Sequence, residues 1–150
     1  MKRKLLIITT IALLLSPVVK SQDSGFGAGV IFGTQTGLSL KLWTGETTAI
    51  AAGMSWSFVD QGYFNIHADM LIHRFNLIPV NEGELPIYFG LGLKLGFGND
   101  VKIGIRVPIG LDYMFDTVPI DIFVEIAPGL QLTPATAFDL DGGLGARYYF

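Results

Sequence analysis

The chain has 150 residues, half of them hydrophobic, with ten Lys and Arg against thirteen Asp and Glu and no cysteine. That length sets the expectation of one domain; the acid excess leaves no basic patch to bind nucleic acid through its phosphates, and the missing cysteines remove any disulfide framework. Beyond residue 21 no apolar run reaches 18 residues, which excludes a helical membrane span there.

In chain order, the first element is a targeting segment. Lys2, Arg3 and Lys4 precede an apolar run from Leu5 to Leu15, and Val19-Lys20-Ser21 offers a cleavage site. This is the layout of a signal peptide for Sec export, residues 1–21, cleaved after Ser21. The alternative, an uncleaved anchor helix, has too short an apolar run to span a bilayer. The mature chain, 22–150, keeps six of the ten basic residues and all thirteen acidic ones, a net charge of about −7.

From there on the sequence alternates with period two. Phe26, Ala28, Val30 and Phe32 share one parity near 25–33; Leu38, Leu40 and Leu42 follow near 37–44, then Ile50, Ala52, Met54, Trp56 and Phe58 near 47–58, and Phe64, Ile66, Ala68, Met70 and Ile72. The second half is cleaner. Leu85 to Phe97 alternate with Pro, Tyr, Gly and Lys, and Val101 to Phe115 with Lys, Gly, Arg, Pro, Asp and Met. Val118 to Leu132 are set against Asp121, Glu125 and Gln131, and Phe138 to Phe150 against Asp139, Asp141, Gly143, Gly145 and Arg147. Such alternation marks antiparallel strands. Turn chemistry at Gly33-Thr34-Gln35, Thr44-Gly45-Glu46, Gly98-Asn99-Asp100 and Asp116-Thr117-Val118-Pro119 separates them. The count is eight, the smallest common number for a closed outer-membrane barrel.

The two faces differ in a way that a soluble barrel does not explain. Its outer face would be rich in Lys and Glu, whereas here the polar parity is rich in glycine and poor in lysine, as a crowded lumen is. The apolar parity is nearly all large aliphatic and aromatic, as a lipid-facing band is. With both chain termini periplasmic, Phe32, Trp56, Phe58, Phe64, Phe97 and Phe138 fall near the outer rim and Phe26, Tyr113, Phe115, Tyr148 and Phe150 near the inner rim. The fold expected is all-β: an eight-stranded antiparallel up-and-down transmembrane β-barrel.

TGLSLKLW at 36–43, HADMLIHRFNLI at 67–78, LPIYFGLGLKL at 85–95 and the long block from Ile103 to Phe150 resemble a family of small bacterial outer-membrane β-barrel proteins of unknown function, related to the OmpA transmembrane domain and OmpX superfamily. The likeness implies a barrel fold and a bacterial outer-membrane location. It implies no reaction and no catalytic residue. The terminal GARYYF, with Tyr148 and Phe150 on the lipid parity, resembles the insertion signal of such proteins.

By parity the lumenal acids are Asp69, Asp112, Asp121, Glu125, Asp139 and Asp141, and the lumenal bases Lys41, Lys94, Lys102, Arg106 and Arg147. An unpaired charge in a narrow interior costs several kcal/mol, so a paired network is expected. Folding the last hairpin about 134–136 sets Arg147 opposite Phe123, with Asp121 and Glu125 diagonal to it.

Competing chemistries fit poorly. His67, Asp69 and His73 share the lumenal parity, but a His and an Asp two apart on a strand lie about 7 Å apart, too far for a direct base-orienting bond without help from the rotamers. The two histidines, about 20 Å apart along the strand, are too distant to share a metal. GLGLKLGFG lies within a strand and opens no helix, so it is no phosphate loop. No catalytic, cofactor-binding or metal-binding residue is assigned. The outer loops are short and the longest connection, Asn76 to Glu84, is periplasmic, with an acidic tip at Asn81-Glu82-Gly83-Glu84. The reading is a structural or interaction barrel with a side-chain-filled charged lumen, not an enzyme. Its partners are outer-membrane lipid, the outer-membrane assembly machinery and an unidentified periplasmic or surface partner. The alternatives are a lipid-modifying enzyme and a narrow solute channel.

Overall fold

Strand formation follows the alternation. A computed structural model describes residues 25–57 and 62–150; the expected signal peptide and Phe58 lie outside the described residues. The strands are β1 (Phe26–Gly33), β2 (Gln35–Trp43), β3 (Thr48–Ser57), β4 (Phe64–Arg74), β5 (Ile87–Phe97), β6 (Val101–Arg106), β7 (Ile109–Met114), β8 (Ile120–Thr133) and β9 (Ala137–Tyr149). All pair antiparallel in one sheet, and β1 pairs with both β2 and β9, so the sheet closes into a ring. Among the described residues no helix is long and apolar enough to cross a membrane.

The closure has a definite stagger. Partners followed from Tyr148 on β9 run through Ala28, Leu40, Ala52, Ala68, Leu93, Ile105 and Leu130 and return to β9 at Phe138, ten residues from the start. Such a stagger tilts the strands against the ring axis. At about 3.3 Å per residue and 4.8 Å per strand spacing, it corresponds to a tilt of roughly 40°.

Nine strands are assigned where the sequence predicts eight, and the reason is one proline. β6 and β7 lie end to end between the same neighbours, β5 and β8, and the break falls at Val107-Pro108. Pro108 has no N–H to give to a ladder. The β5 register passes the break without slipping, from Phe89↔Ile109 to Gly92↔Arg106. Gly90 N–H still donates to the Pro108 carbonyl, and Val107 N–H to that of Pro128, both at 2.9 Å.

The ring has two ends. The proximal end carries Phe26, Trp43, Phe150 and the connections 44–47, 75–86 and 115–119; the distal end carries Gly33, Trp56, Phe97 and the turns at 98–100 and 134–136. Interior glycines make room for large neighbours directly across the ladder. Tyr149 lies against Gly27, Tyr88 against Gly110 and Phe123 against Gly145, so close that a Cβ on those glycines would overlap the rings. This accounts for part of the glycine-rich polar parity; Gly29, Gly33 and Gly37 lie instead where a Cβ would meet the neighbouring strand's backbone.

Candidate functional site

The charged side chains meet inside the ring, in two layers. In the proximal layer Lys41 Nζ lies 2.5 Å from Asp112 Oδ2, and Arg147 reaches Asp112 at 3.4 Å and Asp121 at 2.9 Å. Arg147 Nε also donates to both Asp121 oxygens at 3.1 Å, and the Tyr149 hydroxyl donates to Asp121 at 2.7 Å. Two cations thus face two carboxylates. Aromatic faces close the layer: Arg147 Cζ sits 4.0 Å from the Phe123 ring centre and Lys41 Nζ 4.3 Å from that of Trp43. His73 stacks on Trp43 with ring centres 4.4 Å apart; its Nδ1 faces the Thr47 carbonyl at 3.3 Å and its Nε2 is 3.9 Å from Asp112. These side chains are buried, with Lys41, His73, Asp112 and Asp121 at 1 % exposure or less. Fully desolvated charges survive only with partners of this quality.

The distal layer is looser and more acidic. Arg106 pairs with Glu125 at 2.5 Å, lies 3.3 Å from Asp69 without hydrogen-bond alignment, and approaches Asp141 at 3.9 Å. Lys94 bridges Asp139 at 2.5 Å and Asp141 at 2.8 Å. Gln35 Nε2 donates to Asp141, and Ser55 donates to Gln35 Oε1, each at 2.7 Å. Tyr88 joins the layers: its hydroxyl donates to Glu125 at 2.7 Å, while its ring centre is 5.8 Å from Lys41 Nζ. Toward the distal mouth lies a cavity of about 460 Å³. The interior is therefore packed in its proximal half and partly open in its distal half, not uniformly filled as expected from sequence.

Ten of the eleven charges expected inside, Lys41, Asp69, Lys94, Arg106, Asp112, Asp121, Glu125, Asp139, Asp141 and Arg147, meet inside the ring, but not around one centre; the eleventh, Lys102, lines the distal cavity with its Nζ 3.8 Å from the Tyr63 ring centre. Arg147 pairs with Asp121 directly across the ladder, while Phe123 faces Gly145. The register is two residues from the one the sequence suggests, because the hairpin turns about Pro134, which cannot extend the ladder, with Gln131↔Ala137 as its last pair. Glu125 is consequently a ligand of Arg106 and Tyr88, not of Arg147. Tyr88, Tyr149, Trp43 and Gln35 are absent from the candidate set; the first three share the interior parity with a glycine across or near them, a signal that large rings lie there. Tyr148 and Phe150 point outward, their rings 5.1 Å apart.

Among the described residues His67, Asp69 and Ser55 do not form a hydrogen-bonded relay. His67 Nε2 is 3.7 Å from Asp69, longer than a hydrogen bond, and the buried Ser55 hydroxyl is committed to Gln35. Among the described residues no group of three or more His, Cys, Asp or Glu is placed to hold a metal ion. Compared with known proteins, the chain matches no protein-family model and no curated protein.

Proposed function

We propose that the chain is an integral β-barrel of the bacterial outer membrane, of eight staves with β6 and β7 as one, whose role is structural or interactive. The observation that carries this reading is the inverted polarity of the wall. Charges and amides point inward, and large apolar side chains point outward around the whole ring: Leu38, Met54, Met70, Leu91, Leu93, Ile105, Ile122, Val124 and Leu144 are all exposed. Water-soluble monomers do not expose an apolar surface of that extent. Eleven residues of β5, at about 3.3 Å each and a tilt of about 40°, give a wall roughly 25 Å tall, the height of an outer-membrane apolar band.

Aromatic placement supports the same reading. Trp56 and Phe64 touch at 5.1 Å at the distal end, with Phe97 directly across from Phe64. At the proximal end Tyr113–Phe115, Tyr148–Phe150 and Phe26–Phe150 make contacts of 4.8, 5.1 and 6.4 Å. Two such girdles fit the two membrane interfaces. Kinship with the OmpA transmembrane domain and OmpX, export by Sec, and recognition of the Tyr148 and Phe150 terminus by the assembly machinery belong to the same proposal. A conducting channel fits less well, because Tyr88, Arg147, Phe123 and Tyr149 occupy the proximal interior.

The test places a charge in the wall. Ile105→Arg and Ile122→Arg each lower the unfolding free energy in phospholipid vesicles by roughly 2–4 kcal/mol if the wall meets hydrocarbon. Wild-type stability of both variants in vesicles would contradict the proposal.

A further inference from the structure

In the distal interior large side chains do not fill the ring. Some interior glycines lie under a side chain from the neighbouring strand, as Gly53 lies under His67 and Gly110 under Tyr88, whereas Gly29, Gly33 and Gly37 lie against neighbouring backbone. At Gly104 the three nearest atoms to a notional Cβ are all backbone, of Leu130 and Gln131. With Ala137 also contributing only a methyl group, the cavity of about 460 Å³ opens here. That volume lies within the roughly 300–1,000 Å³ of small-molecule pockets.

The walls say what chemistry fits. Amides of Gln35, Asn65 and Gln131 and the charged groups of Lys94, Lys102, Asp139 and Asp141 line the space. The charges already have partners: Lys94 holds both aspartates at 2.5 and 2.8 Å, Asp141 also accepts from Gln35, and Lys102 Nζ sits 3.8 Å from the Tyr63 ring centre. A charged solute has to compete with those pairs. A neutral molecule that donates and accepts at each hydroxyl adds to the unused lone pairs and amide groups and breaks nothing. Asp139, with its side chain 40 % exposed, offers such an acceptor at the mouth. We propose that this cavity binds a neutral polyhydroxylated solute, a mono- or disaccharide. The proposal is independent of what the outer wall faces.

The test is calorimetric titration of the folded chain in dodecyl-dimethylamine-oxide micelles, whose headgroup contains no sugar. Maltose and glucose are the probes; glucuronate and putrescine are the charged comparators. Saturable binding of at least one neutral sugar is expected, with a dissociation constant on the order of 1 mM, and at least about tenfold weaker binding of both comparators. Ala137→Trp, which fills the cavity from its rim, weakens the sugar at least tenfold; Gln131→Leu, which removes an amide without adding bulk, weakens it severalfold and serves if the tryptophan variant does not fold. The proposal fails if neither sugar saturates by about 100 mM. It fails equally if a charged comparator binds as well, or if the folded cavity variants bind sugar as the wild type does; the cavity is then only hydrated.

Discussion

The two halves of the interior solve the same problem in different ways. In the proximal half Lys41 and Arg147 face Asp112 and Asp121, two against two, and rings of Trp43, Phe123, Tyr88 and Tyr149 exclude water. In the distal half Arg106, Lys94 and, toward the mouth, Lys102 stand with four carboxylates, Asp69, Glu125, Asp139 and Asp141, beside a cavity. Where rings pack around the paired charges, the interior can close; where polar groups border open space, solvent or another polar occupant has to meet their remaining hydrogen-bonding capacity. The contrast teaches that a closed sheet of one pattern can hold a plug at one end and a vestibule at the other, depending on where large rings fill the interior.

The largest expected effect breaks the plug. Arg147→Ala leaves Asp121 buried beside Asp112 with only Lys41 for both, and the loss expected in urea unfolding from vesicles is about 3–5 kcal/mol. Arg147→Lys costs less, because it keeps the charge and loses the fork that grips Asp121. Adding Asp121→Asn to Arg147→Ala restores part of the stability, whereas adding Glu125→Gln does not, since Glu125 belongs to the other layer. Equal rescue by both would merge the two layers into one network. An intermediate effect tests the joint between the halves: Tyr88→Phe removes the hydroxyl bonded to Glu125 and keeps the ring, at a cost of about 1–2 kcal/mol in the same unfolding assay. The smallest effect belongs to the vestibule. Lys94→Met costs about 1 kcal/mol: Asp139 is part-exposed and screened, so that share shrinks in high salt, and the largely buried Asp141 keeps Gln35 as a donor and Arg106 as a neighbour. A cost for Lys94→Met near that of Arg147→Ala would erase the contrast. Single-channel recording sharpens it from another side: the plug keeps wild-type conductance in planar bilayers negligible, and large steady currents would show that it is not closed.

Much of this was legible in the alternation. Leu91, Leu93 and Leu95 set against Gly92, Lys94 and Gly96 define the strand, its two faces and its place in a ring, because period two depends only on local backbone geometry. The interior charge set follows from the same parity. What was not legible depends on neighbours distant in sequence. The partner of Arg147 rests on where the turn about Pro134 sits, and a two-residue shift exchanges Phe123 for Asp121. Glu125 meets Arg106 although the ladder pairs Arg106 with Gly129, four residues along β8, so the contact depends on the reach of the long guanidinium side chain inside the ring. The break at Pro108 is visible as a proline, but its outcome, two strands in one stave, rests on ladders to β5 and β8 that hold the register across it. The cavity is the least legible feature, since Gly104 and Gly110 look alike in sequence and differ in whether a ring lies over them.

The central claim is that the outward face of the ring lies in lipid. Spin labels placed one at a time at Phe89, Leu91, Leu93, Leu95 and Phe97 of β5 in phospholipid vesicles read it directly, through collision with oxygen and with a water-soluble nickel chelate. Oxygen access highest at Leu93 and falling toward both ends, with nickel access the reverse, is the predicted profile. Nickel access that is high and level along all five sites would place this face in water and contradict the account.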